Sequence, residues 1–274
     1  MSENEKACAA PFPAQVYEEF FVPALFHPWA SVVTDAAAIA PGQSVLDVAC
    51  GTGVLARAVA DRVGLSGSVA GLDPSEEMLE VARRKSDTIE WRMGRAEAIP
   101  FPDESFDAVV SQFGIMFFEK PAGALREMIR VLRPGGRLAV AVCDALEHSP
   151  GYAAFEDLLR RLFGDGVAGA FRAPFVLGDA DKLHSLCSDA GIFDAEVTRH
   201  DGVVHFASIR SLVATERACV WTLGGLLDDE QFKTLSAESE RGLQAFVGND
   251  GALTFSMPAL IITAAKACAE LEEN

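Results

Sequence analysis

The sequence is short of base. Over 274 residues, 23 Lys and Arg stand against 40 Asp and Glu, a formal net charge of −17. The acids are spread along the chain, including the run Asp228-Asp229-Glu230 and the tail Glu270 to Glu273. Such a field repels polyanions, which argues against nucleic acid or an anionic membrane surface as partner. The six cysteines (Cys8, Cys50, Cys143, Cys187, Cys219, Cys268) form no Cys-x-x-Cys pair and have no His at zinc-ligand spacing. A metal site is therefore not expected, and reduced, mostly buried thiols are. No apolar run reaches the roughly 18 residues of a membrane span. The opening MSENEKACAA lacks the basic-then-apolar order of a signal peptide. A soluble, cytoplasmic protein is the expectation. There is no internal repeat and no low-complexity tract.

What the chain does have is apolar mass, 50% of its residues, enough for a substantial core. Ser44 to Gly53, SVLDVACGTG, is an apolar run ending in Asp47, followed by a turn through Gly51 and Gly53 into an amphipathic pattern, Val54, Leu55, Ala58, Val59 and Val63. That reads as strand, tight turn and helix N-terminus. Ser68 to Asp73 is a second strand ending in an acid, and Pro74-Ser75-Glu76-Glu77 opens the next helix. Ile89–Gly94, Phe106–Phe113 and Arg137–Cys143 continue the strands. The helix through Leu125, Met128 and Leu132 is expected to stop at Arg133-Pro134-Gly135-Gly136. Five alternations of strand and helix predict a Rossmann-like, doubly wound α/β fold with a mostly parallel sheet and helices on both faces.

Two regions stand outside that rhythm. Gln15 to Ala30 carries five aromatics and is interrupted by Pro23 and Pro28, so two short helices with a bend are expected, serving as a flap over residues 12–30. Tyr17, Phe20 and His27 are its candidate ligand contacts. Ala195 to Phe206 reads as a strand broken at Asp201-Gly202, and a mostly helical insertion over 207–250 precedes a last strand in Pro258 to Lys266. The expected division is one domain, with 31–206 and 251–274 as core and 12–30 and 207–250 as helical cap elements.

The glycine turn admits two ligands. Gly51-Thr52-Gly53-Val54-Leu55-Ala56 satisfies a dinucleotide fingerprint, with Asp73 where a ribose-binding acid belongs, so an NAD(P) oxidoreductase is the competing reading. Against it, Asp47 puts a carboxylate where a pyrophosphate would lie, and no Lys or Arg stands between Ala40 and Arg57 to offset it. A ligand with a cationic head near Asp47 and a ribose near Asp73 fits better, and S-adenosylmethionine has that pattern.

VLDVACGTG, GLDPSEEML, MGRAEAIPFPDESFDAVVSQF and ALREMIRVLRPGGRL, in that order between Val45 and Val142, resemble successive motifs of the class I S-adenosylmethionine-dependent methyltransferases, in the branch of the ubiquinone and menaquinone biosynthesis enzymes (methyltransferase type 11). The resemblance implies a seven-stranded sheet. It implies that Asp47 takes the methionine ammonium, that Ala49, Gly51 and Gly53 pass backbone under methionine and ribose, and that Asp73 accepts from the ribose hydroxyls. Pro74 and Met78 would pack on adenine, with the Ala96 N–H at its edge. Gln112 would face the methionine amine, and Tyr17 of the flap would touch the cofactor. One departure is Arg95, which stands where the family often carries an acid; arginine cannot accept a hydrogen bond, so Glu97, backbone or guanidinium stacking would have to serve.

The implied reaction is methyl transfer to a small acceptor. After the fourth strand the chain reads Ser111-Gln112-Phe113-Gly114-Ile115-Met116-Phe117-Phe118, without the Asn/Asp-Pro-Pro-Tyr of nucleic-acid amino methylation, so an apolar or aromatic small molecule is expected. Of the five histidines, His148 is the first candidate for a general base because it follows the fifth strand at the carboxyl edge. His27 is the second. A binding protein that has kept the cofactor fold but lost methylation is a further alternative. A homodimer is left open.

Overall fold

The computed structural model describes residues 13–219 and 223–268. Residues 1–12, 220–222 and 269–274 lie outside these, and with them Cys8, the start of the flap, and the acidic tail. The chain opens with α1 (Pro13–Val16), a ten-residue π-helix (Tyr17–Phe26) and α2 (His27–Ala36). It continues with β1 (Ser44–Val48), α3 (Val54–Val63), β2 (Ser68–Asp73), α4 (Glu76–Lys85), β3 (Glu90–Met93), β4 (Phe106–Gln112), α5 (Pro121–Val131) and β5 (Leu132–Cys143). After these come α6 (Pro150–Phe163), α7 (Asp165–Phe171), α8 (Ala180–Asp189), β6 (Glu196–His200), β7 (Val203–Phe206), α9 (Ile209–Ala218), α10 (Asp229–Gly242), β8 (Leu253–Ser256) and β9 (Ala259–Ala265).

Seven strands form one sheet in the order β3-β2-β1-β4-β5-β9-β6, and β7 pairs with β8 apart from it. β1 through β5 run parallel, β9 is antiparallel to β5, and β6 is antiparallel to β9. Because successive side chains of a strand point to opposite faces, the near-continuous apolar runs of the central strands feed two cores at once. Val45, Ala108, Val110, Ala139 and Ile261 pack on one face. Leu46, Val109, Leu138, Val140 and Ile262 pack on the other, under α5 and α8. β1 pairs with both β2 and β4, so the strand order reverses between β1 and β4. The crevice at the carboxyl ends of that pair is where ligands of open α/β sheets bind.

Three expectations need correction. Residues 13–36 form one continuous helical run rather than two short helices with a bend; the π-helical stretch accommodates Pro23, and the His27 N–H donates to the Val22 carbonyl where a break would otherwise fall. The 195–206 segment is two strands in two different sheets. Gly202 lies tight against Trp29 while its carbonyl accepts from the Met257 N–H at 2.8 Å, which turns β7 away to pair with β8. And α5 ends at Val131, with Arg133-Pro134-Gly135-Gly136 already part of β5.

The flap and the late insertion meet. The π-helix packs on α9 and β7, and α10 packs on α6 and α9, so both stand over the same face of the sheet.

Candidate active site

At the end of β1 the chain makes a backbone hairpin through left-handed residues: Ala49 at φ 59°, Gly51 at 54° and Gly53 at 86°. Phe113, just past β4, is left-handed too, at 54°. Non-glycine residues in this conformation are uncommon; of the four among the described residues, Ala49 and Phe113 sit at the ends of the two strands that flank the crevice, while Ala38 and Glu104 lie in loops elsewhere. Gly53 is required twice over, by its φ and because an added Cβ would lie 2.3 Å from the Trp91 ring. Trp91, from β3, props the turn from below and donates its indole N–H to Ser86 O at 3.0 Å.

Two acids stand at this turn in different states. Asp73 is fastened by backbone: its Oδ2 accepts from the Gly51 N–H and its Oδ1 from the Ser75 N–H, both at 2.9 Å. Burial raises its pKa, and those two bonds oppose the rise. Asp47 is 1% exposed, and neither of its carboxylate oxygens has a hydrogen-bond partner. Burial pushes its pKa well above the ordinary carboxylate range, against the opposing pull of the Ala56 N–H, which faces it without making a hydrogen bond of normal geometry. Gln112, at the end of β4, donates its amide to the Phe26 carbonyl at 3.0 Å, which ties the flap down and leaves its own Oε1 buried and unpaired. A buried carboxylate and a buried amide oxygen without protein partners, on the paired strands β1 and β4, are groups that a cation satisfies and an anion does not.

Above these groups lies a cavity of about 340 Å³. Tyr17, Ala49, Gly51, Asp73, Pro74 and Met78 line one end, with Gln112. Tyr17 is half-buried and stacks on Phe21 and Phe26, at centroid distances of 5.7 and 5.3 Å; desolvation of its hydroxyl, with Asp73 next, raises its phenol pKa, so it stays protonated. A second cavity of about 240 Å³ shares Ala49, Pro74, Phe117 and Phe118 with the first and adds Arg95, Ala96 and Glu97. Arg95 is turned to Glu119 at 2.9 Å and Glu97 at 3.6 Å. Burial alone would raise Glu97, but backbone N–H groups, Arg95 among the charges, hold it below the usual range.

Asp47 and Gly53 line neither cavity: Asp47 lies beneath the turn and Gly53 caps α3. His148 is outside as well. Its side chain is 52% exposed and its Nδ1 lies 2.9 Å from Asp144 Oδ2, a carboxylate also held by Arg199 at 2.6 Å. The one-turn helix after β5 carries the ring away from the crevice toward that ion pair, so His148 is not placed to take a proton from a bound acceptor. His27 is exposed on the outer side of the flap.

The far end of the cavity was not anticipated. Cys143, Tyr152, Phe171, Phe175, Glu216 and Met257 line it. They come from β5, α6, α7, α9 and two connecting segments and lie outside the motif blocks, so no spacing in the sequence links them.

Comparison with known proteins bears on this arrangement. A family model described as a methyltransferase domain matches residues 46–140. The ubiquinone/menaquinone biosynthesis C-methyltransferase of Escherichia fergusonii is 41% identical over 181 residues, covering 60% of this chain and 71% of that relative. The chain belongs to the class I S-adenosylmethionine-dependent methyltransferases, in this ubiquinone/menaquinone biosynthesis branch. The demethylmenaquinone methyltransferase of Renibacterium salmoninarum is 43% identical over 48% of this chain, but the match spans only 55% of that relative, about half its length. For the fold, the YcgJ protein of Bacillus subtilis superposes with a TM-score of 0.58 at 21% identity, covering 88% of this chain and 99% of that one. The phosphoethanolamine N-methyltransferase 2 of Haemonchus contortus, solved in complex with S-adenosyl-L-methionine, gives 0.58 at 19% identity over 93% of this chain and 56% of its own.

Proposed function

We propose that this protein transfers a methyl group from S-adenosylmethionine to a small, apolar or aromatic acceptor held between the flap and the helical insertion. The observation that carries the reading is a pair of buried groups without protein partners, the Asp47 carboxylate on β1 and the Gln112 Oε1 at the end of the neighbouring β4, at the strand-order reversal, with Gln112 lining an aromatic cavity. The cofactor supplies a methyl group already activated on a sulfonium. The protein's share is to hold, align and keep dry. Asp47 and Gln112 would take the ammonium, the Gly51 backbone would lie under the methionine, and Asp73, pre-oriented by its two backbone donors, would accept from the ribose hydroxyls. Pro74 and Met78 would face the adenine, with Ala96 at its edge.

The flap closes this end from outside. Residues 12–30 and 207–250 act, in this reading, as a cap on a core of 31–206 and 251–274. The quinone-type substrates in the relatives' names fit an acceptor end walled by Phe and Tyr rings. No helix among the described residues is long and apolar enough to cross a membrane. A net charge of −17 speaks against a nucleic-acid partner, and the free thiols of the five described cysteines accord with a cytoplasmic location.

Isothermal titration with S-adenosylmethionine, S-adenosylhomocysteine and NAD tests the cofactor. Both sulfur ligands are expected to bind and NAD not to; binding of NAD alone overturns the reading. Transfer of labelled methyl is then assayed with demethylmenaquinol and a panel of small phenols and amines. Tight cofactor binding with no acceptor methylated would favour a catalytically silent binding protein instead. Removing residues 1–30 is expected to weaken both cofactor affinity and turnover, and the cap role fails if neither changes.

A further inference from the structure

We propose that Glu18 is a positioning residue that latches the flap onto the glycine turn through Arg57, and so sets how long the cofactor stays bound. The identity of the ligand rests on the methyltransferase reading; the latch rests on three side chains and one carbonyl. Glu18 stands in the first turn of the π-helix and is 9% exposed. Its Oε1 lies 3.2 Å from Arg57 Nη2 and 3.3 Å from Lys85 Nζ. Oε2 is buried and has no hydrogen-bond partner among the described residues, so Oε1 carries both contacts.

The two cations belong to the helices that leave the cofactor segments. Arg57 is in the first turn of α3, directly after the glycine turn, and Lys85 ends α4, which starts just beyond Asp73. Arg57 also reaches back, its Nη1 donating to the Thr52 carbonyl at 2.6 Å, between Gly51 and Gly53. A guanidinium holds its donors in fixed directions, so it can grip a carbonyl with one arm and a carboxylate with the other only when the two are in register. One side chain therefore ties the flap to the turn. Tyr17, the residue before Glu18, lies on the same turn: a Cβ at Gly51 would be 3.9 Å from its ring. It also packs with Ala14 on Met78 and Val81 of α4.

A carboxylate this buried is stable only while its cations are in place. With the flap lifted, all three charges return to water, where exposed ion pairs contribute little. The latch thus has two states, one with Glu18 desolvated against Arg57 and Lys85 and one with the charges hydrated. Tyr17, Phe21 and Phe26 wall the cavity from the flap side, so a ligand beneath them leaves through the open state. The open fraction then scales the rate of release. Charge acts in the same direction. Arg57 is near enough to Asp47 to favour its ionised form, and Glu18 offsets the Arg57 charge when the flap is shut, which leaves Asp47 to be matched by a cationic ligand.

The test follows the flap with and without ligand. In the unliganded full-length protein, hydrogen exchange is read on residues 17–26 and on β1 and β4. Glu18→Gln keeps the shape and removes the charge, so exchange in 17–26 should rise about tenfold while the two strands stay within about twofold. Lys85→Met removes the more exposed cation and should raise exchange in 17–26 about two- to threefold. By stopped flow, S-adenosylhomocysteine should leave Glu18→Gln about tenfold faster, with its association rate within about threefold of wild type. In an Arg57→Met background, Glu18→Gln should change exchange and release by less than about threefold, because the partner it latches is already gone. Unchanged exchange in 17–26, an equal rise in the strands, unchanged release, or full additivity with Arg57→Met overturns the proposal. If S-adenosylhomocysteine does not bind the wild type, the cofactor reading falls, and exchange in the unliganded protein still decides the latch.

Discussion

The two ends of the cavity are built on opposite plans. The cofactor end is assembled from strand-end loops close together along the chain, Asp47 to Gly53, Asp73 to Met78, Arg95 to Glu97 and Gln112 to Phe118, and it is lined by backbone, acids and an amide. The far end draws single residues from Cys143 to Met257, half of them aromatic. One end presents polar groups fixed on the sheet, the other rings and aliphatic surface brought by the cap. Affinity at the first should therefore respond to single side chains, and selectivity at the second to how the cap packs.

The largest effect that would break this contrast is at Asp73. Asp73→Ala removes the acid that two backbone donors hold in place, and S-adenosylmethionine affinity should fall between about 100- and 1,000-fold by calorimetry. Binding of an apolar ring such as naphthalene at the other end should stay within about twofold; a fall at both ends would mean that the two plans are not separate.

Next in size is Gly53→Ala. The new methyl would meet Trp91 at 2.3 Å on a backbone at φ +86°, so urea unfolding should show about 2–3 kcal/mol less stability. A loss under about 0.5 kcal/mol would show that Trp91 does not brace the turn.

A subtler effect concerns protons. Burial raises Asp47 above its ordinary range, so the folded protein without ligand keeps a proton that the unfolded chain gives up. Its stability then falls as pH rises from about 4 until the folded-state pKa is passed. A cationic ligand favours the ionised form, so affinity should climb over the same window and binding there should release a proton. Calorimetry in two buffers of different ionisation enthalpy measures that release, and Asp47→Asn should abolish it. The smallest effect is expected at His148, whose Ala variant loses a half-exposed contact to Asp144. Turnover should change less than about twofold and stability by less than about 1 kcal/mol; a flat loss of activity would return His148 to the site.

Much of the cofactor end was legible because a parallel sheet imposes its own grammar. A buried strand, an acid at its carboxyl end and a glycine turn are adjacent in sequence and remain adjacent in space, so the sequence could place Asp47, Gly51 and Asp73 at one turn, where Asp73 accepts from the Gly51 N–H. Trp91 was not, because its role depends on β3 lying beside β2, which no local pattern states. His148 lies outside both cavities for a related reason. Its position after β5 put it at the correct edge of the sheet, but the direction of its ring was decided by Asp144 and Arg199, the latter 51 positions on in β6.

By itself, then, the sequence determined the doubly wound sheet, the crevice at the β1 and β4 ends, and the family. These follow from hydrophobic periodicity, strand-end acids and glycine placement, all of which are local. The tertiary structure alone decided that Pro23 would be absorbed in a π-helix, that residues 196–206 would divide between two sheets, and that Tyr152 and Glu216 would face one cavity. Those outcomes depend on which distant surfaces must be buried against each other, and packing of that kind has no period along the chain.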